Sequence, residues 1–373
     1  MDVPAVGTTT TLNLPTVNGT LIASDNSGNV TYTGTTTFSG NATFNAGLVP
    51  SSSFLRNRII NGDMRIDQRY GGGSVSVPNA TVIYATDRWN VYEDTSGTLS
   101  FQRSTIVPTG FTSSLLVSVT SAGTATASQL CRIQQRIEGF NIYDLAYGTP
   151  SAATVTVSFW VRSSLIGTYC VGIRNNALDR SYVGTYTISS ANTWEQKSIT
   201  IPGDTSGTWL TDSGVGMYLS WDLGSGSSSN TTAGTWVSGD RNNTSAQANW
   251  CGTAGATFYV TGVQFEVGSV ATPFERRQYG QEIALCQRYY NVSGFTEYHV
   301  VPAPNATYLG VYRIHMPVQM RANPTVGVSY SATNAVLDFG WYTQNFNFMV
   351  HYITASVSTN AFMFFVWTAS AEL

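Results

Sequence analysis

Between residues 57 and 277 the chain repeats one device. A short run alternates apolar and polar residues, and a Gly, Ser or Asn turn closes it. In 153-ATVTVSFWVRSS-164, Val155, Val157, Phe159 and Val161 occupy every second position. That period belongs to a strand, whose successive side chains point to opposite faces of a sheet. The device recurs at 168–175, 181–188, 194–202, 214–223 and 256–268. In 131-CRIQQRIEG-139, Ile133 and Ile137 alternate with polar residues in the same way. Many short strands separated by turns, each with one face to bury, predict a β-sandwich over 55–277 and an all-β fold class.

The flanks differ from this centre. Residues 1–54 hold only Asp2 and Asp25 as charged groups, and no Lys or Arg precedes Arg56. Leu12, Leu14, Leu21, Ile22 and Val30 recur singly between turn residues, followed by Phe38 and Phe44. One such chain cannot build a core. Three chains wound together bring these residues onto one axis, so a fibrous trimeric β shaft is expected, with Phe38 and Phe44 in the subunit contact. Residues 278–373 read as a short helix followed by a β tip domain. Tyr279, Ile283, Cys286 and Tyr290 recur at helical spacing, which predicts a helix over 279–291. In the tip, 336–342, 346–355 and 362–368 read as strands, and a turn joins two further strands around 317–324. The last strand is apolar on both faces: Phe362, Phe364 and Val366 on one, Met363, Phe365 and Trp367 on the other. A strand buried on both sides needs two partners. A subunit interface supplies the second, which assigns Phe365 and Trp367 to the trimer contact.

Charged residues make up 10% of the chain, far below the roughly 25% of ordinary globular proteins. So few charges require covered strand edges, which intimate oligomers provide. The net charge of −3 comes without any basic run, so the phosphate attraction behind nucleic-acid binding is missing. No apolar stretch is long enough to cross a bilayer, and no secretory signal is visible at the N-terminus. Cys131, Cys170, Cys251 and Cys286 are widely spaced, and with His299, His315 and His351 they offer little to a zinc cluster. Free, buried thiols are expected, kept reduced in a cytosol.

Catalysis has little to draw on. No GxSxG elbow, HExxH motif or phosphate loop occurs. Asp87, Glu93, Asp94, Asp212, Asp222 and Asp240 are candidate acids for a carboxylate pair, but spacing alone does not bring two together. Binding has more. Residues 224–249 carry almost no strand pattern, and a long loop in a compact domain is commonly functional. It holds Trp236, Asp240 and Arg241 and is bracketed by Trp221, Asp222 and Trp250. Indoles stack on the C–H faces of sugars, while Asp and Arg bond their hydroxyls. These six residues form the predicted glycan site; Tyr298, His299, Tyr308 and Trp341 in the tip compete with them. Trp89, Trp160, Trp194 and Trp209 read as core.

One passage adds a resemblance. Val263-Gln264-Phe265-Glu266-Val267-Gly268, Ala271-Thr272-Pro273-Phe274-Glu275 and Leu285-Cys286-Gln287-Arg288-Tyr289-Tyr290 closely resemble, in order, a passage of tail-fibre and receptor-binding proteins of tailed bacteriophages. The opening Asn57-Arg58-Ile59-Ile60-Asn61-Gly62-Asp63-Met64 and the later Asp87-Arg88-Trp89 fit as well, as does the ending Ala371-Glu372-Leu373. The resemblance spans 55–373. The strand order over 57–277 also resembles the jelly-roll modules of carbohydrate-binding families 4 and 9. Together these imply a non-catalytic, homotrimeric virion protein made in the host cytoplasm. It would be anchored through its N-terminus to a tail or baseplate protein and would attach to bacterial surface polysaccharide. A glycan depolymerase and a purely structural spacer or decoration protein are the alternatives. Related modules can hold a structural Ca²⁺, for which Asp63 is the candidate; no other cofactor is expected.

Overall fold

A computed structural model of the chain describes residues 55–294, 296–301, 306–333, 336–344, 348–357 and 361–373. The expected shaft, with Phe38 and Phe44, lies outside the described residues. Ser51–Leu373 forms one compact unit.

The fold is all-β, and its centre is a sandwich of two antiparallel sheets. The six-stranded sheet runs β1 (Val75–Val77), β4 (Thr98–Ser104), β5 (Ser114–Ser121), β13 (Thr257–Val267), β7 (Val155–Ser163) and β10 (Glu195–Ile201). The seven-stranded sheet runs β12 (Trp236–Ser238), β9 (Arg180–Ile188), β8 (Gly167–Arg174), β11 (Val215–Asp222), β6 (Cys131–Glu138), β3 (Trp89–Glu93) and β2 (Ile83–Tyr84). The alternating residues of β7 do what their period requires: Val155, Val157, Phe159 and Val161 are buried and meet Trp89, Ile133, Leu219 and Trp221 of the facing sheet in one core. The Trp221 ring lies 5.5 Å from that of Trp89 and 5.3 Å from that of Phe159. Such tilted and edge-on contacts satisfy the ring quadrupoles. Register slips in β13 between Thr261 and Gln264, where Gly262 takes φ +61 and a Cβ would meet the Phe111 ring at 2.6 Å. Only glycine serves at that bulge. All four cysteines are free and buried.

Beyond the sandwich, the helix α1 covers Tyr279–Gln287 and stops short of the expected Asn291. Tyr290–Val292 instead forms β14, paired with Thr368–Ser370 of β20 (Ala361–Ser370). The edge of β20 offers backbone partners that the helical spacing of Tyr290 could not foretell. In the tip, β20 also pairs with β15 (Glu297–Val301) and β17 (Thr325–Thr333). A second sheet runs β16 (Ala306–His315), β19 (Phe348–Val357) and β18 (Val336–Gln344). The assignment of Phe365 and Trp367 to a subunit contact needs correction. Both are already buried within one chain, at 1% and 6% exposure, whereas Phe364 and Val366 on the opposite face are 40% and 39% exposed.

The segments that carry the sequence resemblance meet in one junction between sandwich, helix and tip. Asn57 accepts the Ile59 and Phe265 amides on Oδ1 and donates to the Val263 carbonyl, each at 3.0 Å. Asn61 donates to the Ile66 and Asp87 carbonyls, and its own carbonyl takes the Trp89 indole N–H at 2.9 Å. Cys286 and Tyr289 pack on Ile60 and Ile66. Glu138 receives both Arg288, at 3.0 and 2.5 Å, and the Tyr289 hydroxyl, at 2.5 Å. Arg88 is buried against the Tyr289 ring, 3.5 Å away, and pairs with Glu372. The Tyr84 hydroxyl and Arg136 donate to the Leu373 carbonyl. Asp63 pairs with Arg65 at 2.6 Å. Among the described residues no group of three or more His, Cys, Asp or Glu could hold a metal ion.

Candidate binding face

The structure separates the six residues predicted to bind glycan. Trp221 and Trp250 are core side chains with no exposed surface, so neither ring can stack on a ligand. Trp221 faces inward because β11 alternates, and Trp250 lies 6.3 Å from Phe258. Asp222 is buried too, accepting the Gly224 and Ser225 amides at 2.9 and 3.0 Å. Trp236, half-buried on β12, packs against Tyr147, Tyr182 and Trp209 and donates to the Pro202 carbonyl at 2.7 Å. Asp240 pairs with Arg174 at 2.6 Å. Arg241 donates to the Ser228 carbonyl. The 224–249 segment is therefore no free recognition loop. It folds back across the seven-stranded sheet, passing over Gly172, and leaves a polar pocket of about 180 Å³ lined by residues including Ser225, Asn243, Thr244, Gln247 and Asn249. The pocket has no aromatic wall.

The stretch of sheet beside this fold-back carries more binding chemistry. One face of β3, β6, β11 and β8 supplies core residues, among them Trp89, Val91, Ile133, Leu219 and Val171. Alternation sends the intervening residues outward, and register sets them in rows. Tyr92 lies opposite Arg132, which lies opposite Asp222. Asn90 lies opposite Gln134, which lies opposite Ser220. Arg136 lies opposite Tyr218, which lies opposite Arg174. Two ends of this surface are closed. Arg174 bonds Asp240, Gln134 and Ser220 at 2.6, 3.1 and 3.1 Å, fixing the fold-back segment. At the other end, Arg136 reaches the Leu373 carbonyl.

Between them, Tyr92 and Tyr218 are half-buried and interleave with cations. The Arg132 guanidinium lies 5.7 Å from the Tyr92 ring, and those of Arg136 and Arg174 lie 5.6 and 5.1 Å from Tyr218. Here buried polar atoms lack partners: Nδ2 and Oδ1 of Asn90, Nε and Nη1 of Arg132, and Oδ2 of Asp222. Such atoms are costly unless something bonds them. Burial, reinforced by the nearby Arg174 charge, pulls the Arg132 pKa down to about 9. Burial raises the Asp222 pKa above its ordinary value, although the Ser225 and Gly224 bonds pull the other way. Two aromatic faces, free donors and free acceptors make a surface suited to holding a polar ligand with flat apolar patches.

The carboxylates considered for catalysis are committed to the fold. Asp87 accepts from Gln68 and Arg69. Glu93 takes the Thr95 amide and hydroxyl, and Asp94 takes the Leu130 amide and Tyr92 hydroxyl. Asp212 takes the Gly214 amide. The sequence reading did not single out Asn90, Tyr92, Arg132 or Tyr218. The signal lay in 131–139, where the residues alternating with Ile133 and Ile137 include Arg132, Gln134 and Arg136. Two arginines on one strand face stand out in so uncharged a chain.

No protein-family model and no curated protein matches the chain. Solved structures similar to it include a family 4 carbohydrate-binding module, 14% identical, covering 56% of this chain and 98% of that one with a TM-score of 0.31. A putative sugar-binding protein from Bacteroides thetaiotaomicron is 11% identical, covering 57% and 100%, with a TM-score of 0.32. The enzymatically active domain of tailspike protein 4 from bacteriophage CBA120 is 13% identical with a TM-score of 0.30; the match covers 57% of this chain but 22% of that one. At these levels function has to be argued from the residues themselves.

Proposed function

We propose that this chain is a non-catalytic, homotrimeric tail-fibre protein of a tailed phage that attaches the virion to a bacterial surface glycan. The contact lies on the outer face of the seven-stranded sheet around Tyr92, Arg132 and Tyr218. The observation carrying the glycan reading is that this face combines half-buried tyrosines with unpartnered polar atoms on Asn90, Arg132 and Asp222. Rings of that kind stack on sugar faces, and the free donors and acceptors meet hydroxyls. A non-catalytic role is supported by the carboxylates, each of which is held in a local turn, strand or ion pair. The fibre reading is supported by the resembling segments, which form one continuous junction rather than scattered matches. The N-terminus would be anchored in the tail, outside the residues that bind. Three weak sites on one fibre would act through avidity.

For the trimer, Phe364 and Val366 replace Phe365 and Trp367 as the contact, because they are the exposed pair on β20. Light scattering should give three times the 40.2 kDa chain mass. Val366→Asp should lower it to one chain, and a stable wild-type monomer at micromolar concentration would end the trimer reading.

The binding test compares the purified protein with a Tyr92→Ala, Tyr218→Ala double variant on host-cell polysaccharide. Losing two aromatic contacts should weaken binding by about tenfold or more. Unchanged binding by the folded variant would remove this face from the reading. Shortening of the polysaccharide by the wild-type protein would replace attachment with depolymerisation.

A further inference from the structure

We propose that the glycan held on this face is acidic, and that its anionic substituent, a carboxylate or a phosphate, is bound by Arg132. The inference rests on the glycan reading above and names the ligand class for the same face.

The three outward arginines are used differently. Arg174 is fully buried and spends its donors on Asp240, Gln134 and Ser220. Arg136 is tied to the Leu373 carbonyl. Arg132 differs. Its Nη1 as well as its Nε is buried with no hydrogen-bond partner, whereas in Arg136 and Arg174 only Nε is; the Tyr92 ring lies beside it, and Asp240 and Asp222 act on it electrostatically. Asp222 stands opposite it in register, yet the two do not close an ion pair among the described residues.

A guanidinium whose nearby carboxylates, Asp222 and Asp240, act on it only at a distance and bond neither of these donors is unfavourable, and proteins normally pair it directly. The missing partner is an anion with two or more acceptor oxygens, since the planar guanidinium matches carboxylate and phosphate geometry. The neighbours specify the rest. Asn90 is fully buried on the same face, with one donor and one acceptor end both unmet. Asp222 Oδ2 adds a further acceptor. With no exposed surface of their own, Asn90 and Asp222 would meet hydroxyls flanking an acidic group through a bridging water or a side-chain shift. A neutral glycan would satisfy Asn90 and Asp222 but leave the Arg132 donors and charge unmet.

The test uses the purified full chain on an array of bacterial surface polysaccharides. Each is printed native, after reduction of its carboxyl groups to alcohols, and after removal of phosphate with hydrofluoric acid. Binding should fall on acidic glycans, and one of the two treatments should abolish it, which identifies the anion. Arg132→Gln should weaken binding to the native acidic glycan at least about tenfold, the loss of a charge-assisted bond, while Arg132→Lys retains part of it. Thermal unfolding confirms that both variants are folded. Binding to neutral glycans that survives both treatments and Arg132→Gln would overturn the inference and leave glycan attachment standing. Binding to no glycan at all would overturn both.

Discussion

Arg88 in the junction and Arg132 on the outer face are both withdrawn from water, but the molecule treats them oppositely. Burial pulls the Arg88 pKa down, yet Glu372, Tyr289 and Tyr84 outweigh it and the pKa rises. For Arg132 the Asp240 and Asp222 charges do not outweigh burial and the Arg174 charge, and its pKa falls to about 9. The junction closes its polar groups on one another: Glu138 on Arg288 and Tyr289, Asn61 on Ile66, Asp87 and Trp89. The face leaves Asn90, Arg132 and Asp222 open. The difference teaches that burial alone does not distinguish structural from functional charge; the state of the partners does.

Breaking the junction should have the largest effect. Glu372→Ala leaves Arg88 buried without its carboxylate and should cost about 3–5 kcal/mol in urea unfolding. A loss under about 1 kcal/mol would mean that the junction is no better compensated than the face. Trp236→Ala comes next. The ring is half-buried among aromatics, so the cost should be about 2–3 kcal/mol, below that of a fully buried Trp, and glycan binding should not change. A loss of binding without a loss of stability would return recognition to the 224–249 segment. Arg132→Gln, the counterpart of Glu372→Ala, should change unfolding free energy by less than about 0.5 kcal/mol, or raise it, because it removes a buried charge that no carboxylate bonds directly.

The smallest effect belongs to Asp222. Burial keeps its pKa in the fold above the ordinary 3.8. Between 3.8 and the folded value, the folded state holds a proton that the unfolded state has released. Stability therefore falls as pH rises across that window. Asp222→Asn escapes the loss, so it should stabilise at pH 7 by less than about 1 kcal/mol and give no advantage below pH 3.8. A gain that persists at lower pH would point to another cause.

The sandwich was legible where period 2 was strict. The expected strands at 153–164, 168–175, 181–188, 194–202, 214–223 and 256–268 correspond to β7, β8, β9, β10, β11 and β13 within a few residues. The strands between Val75 and Ser121 were not named, although Leu99 and Phe101 of β4 and Leu115, Val117 and Val119 of β5 alternate strictly and are buried. The binding site was less legible for a physical reason. Absence of strand pattern in 224–249 reads as a free loop, but long-range bonds such as Arg174 to Asp240 press that segment onto the sheet. Whether Trp250 faces solvent or core depends on that closure, which local sequence does not encode. Arg132 could be placed on a strand face from its neighbours, but its lack of a partner exists only once the strands are side by side.

The pairing of β14 with the end of β20 has a further consequence. The chain leaves the sandwich unit through Tyr290–Val292 and returns through Thr368–Ser370, two segments hydrogen-bonded to each other. Residues 293–367 are thus an insertion whose entrance and exit sit side by side. Exchanging it would keep this gate but remove Arg321, which bonds the Arg288, Ser213 and Glu372 carbonyls from inside the insertion. Tip and sandwich are thus separable units except at Arg321, with Arg88 and Arg136 fixing the return at Glu372 and Leu373.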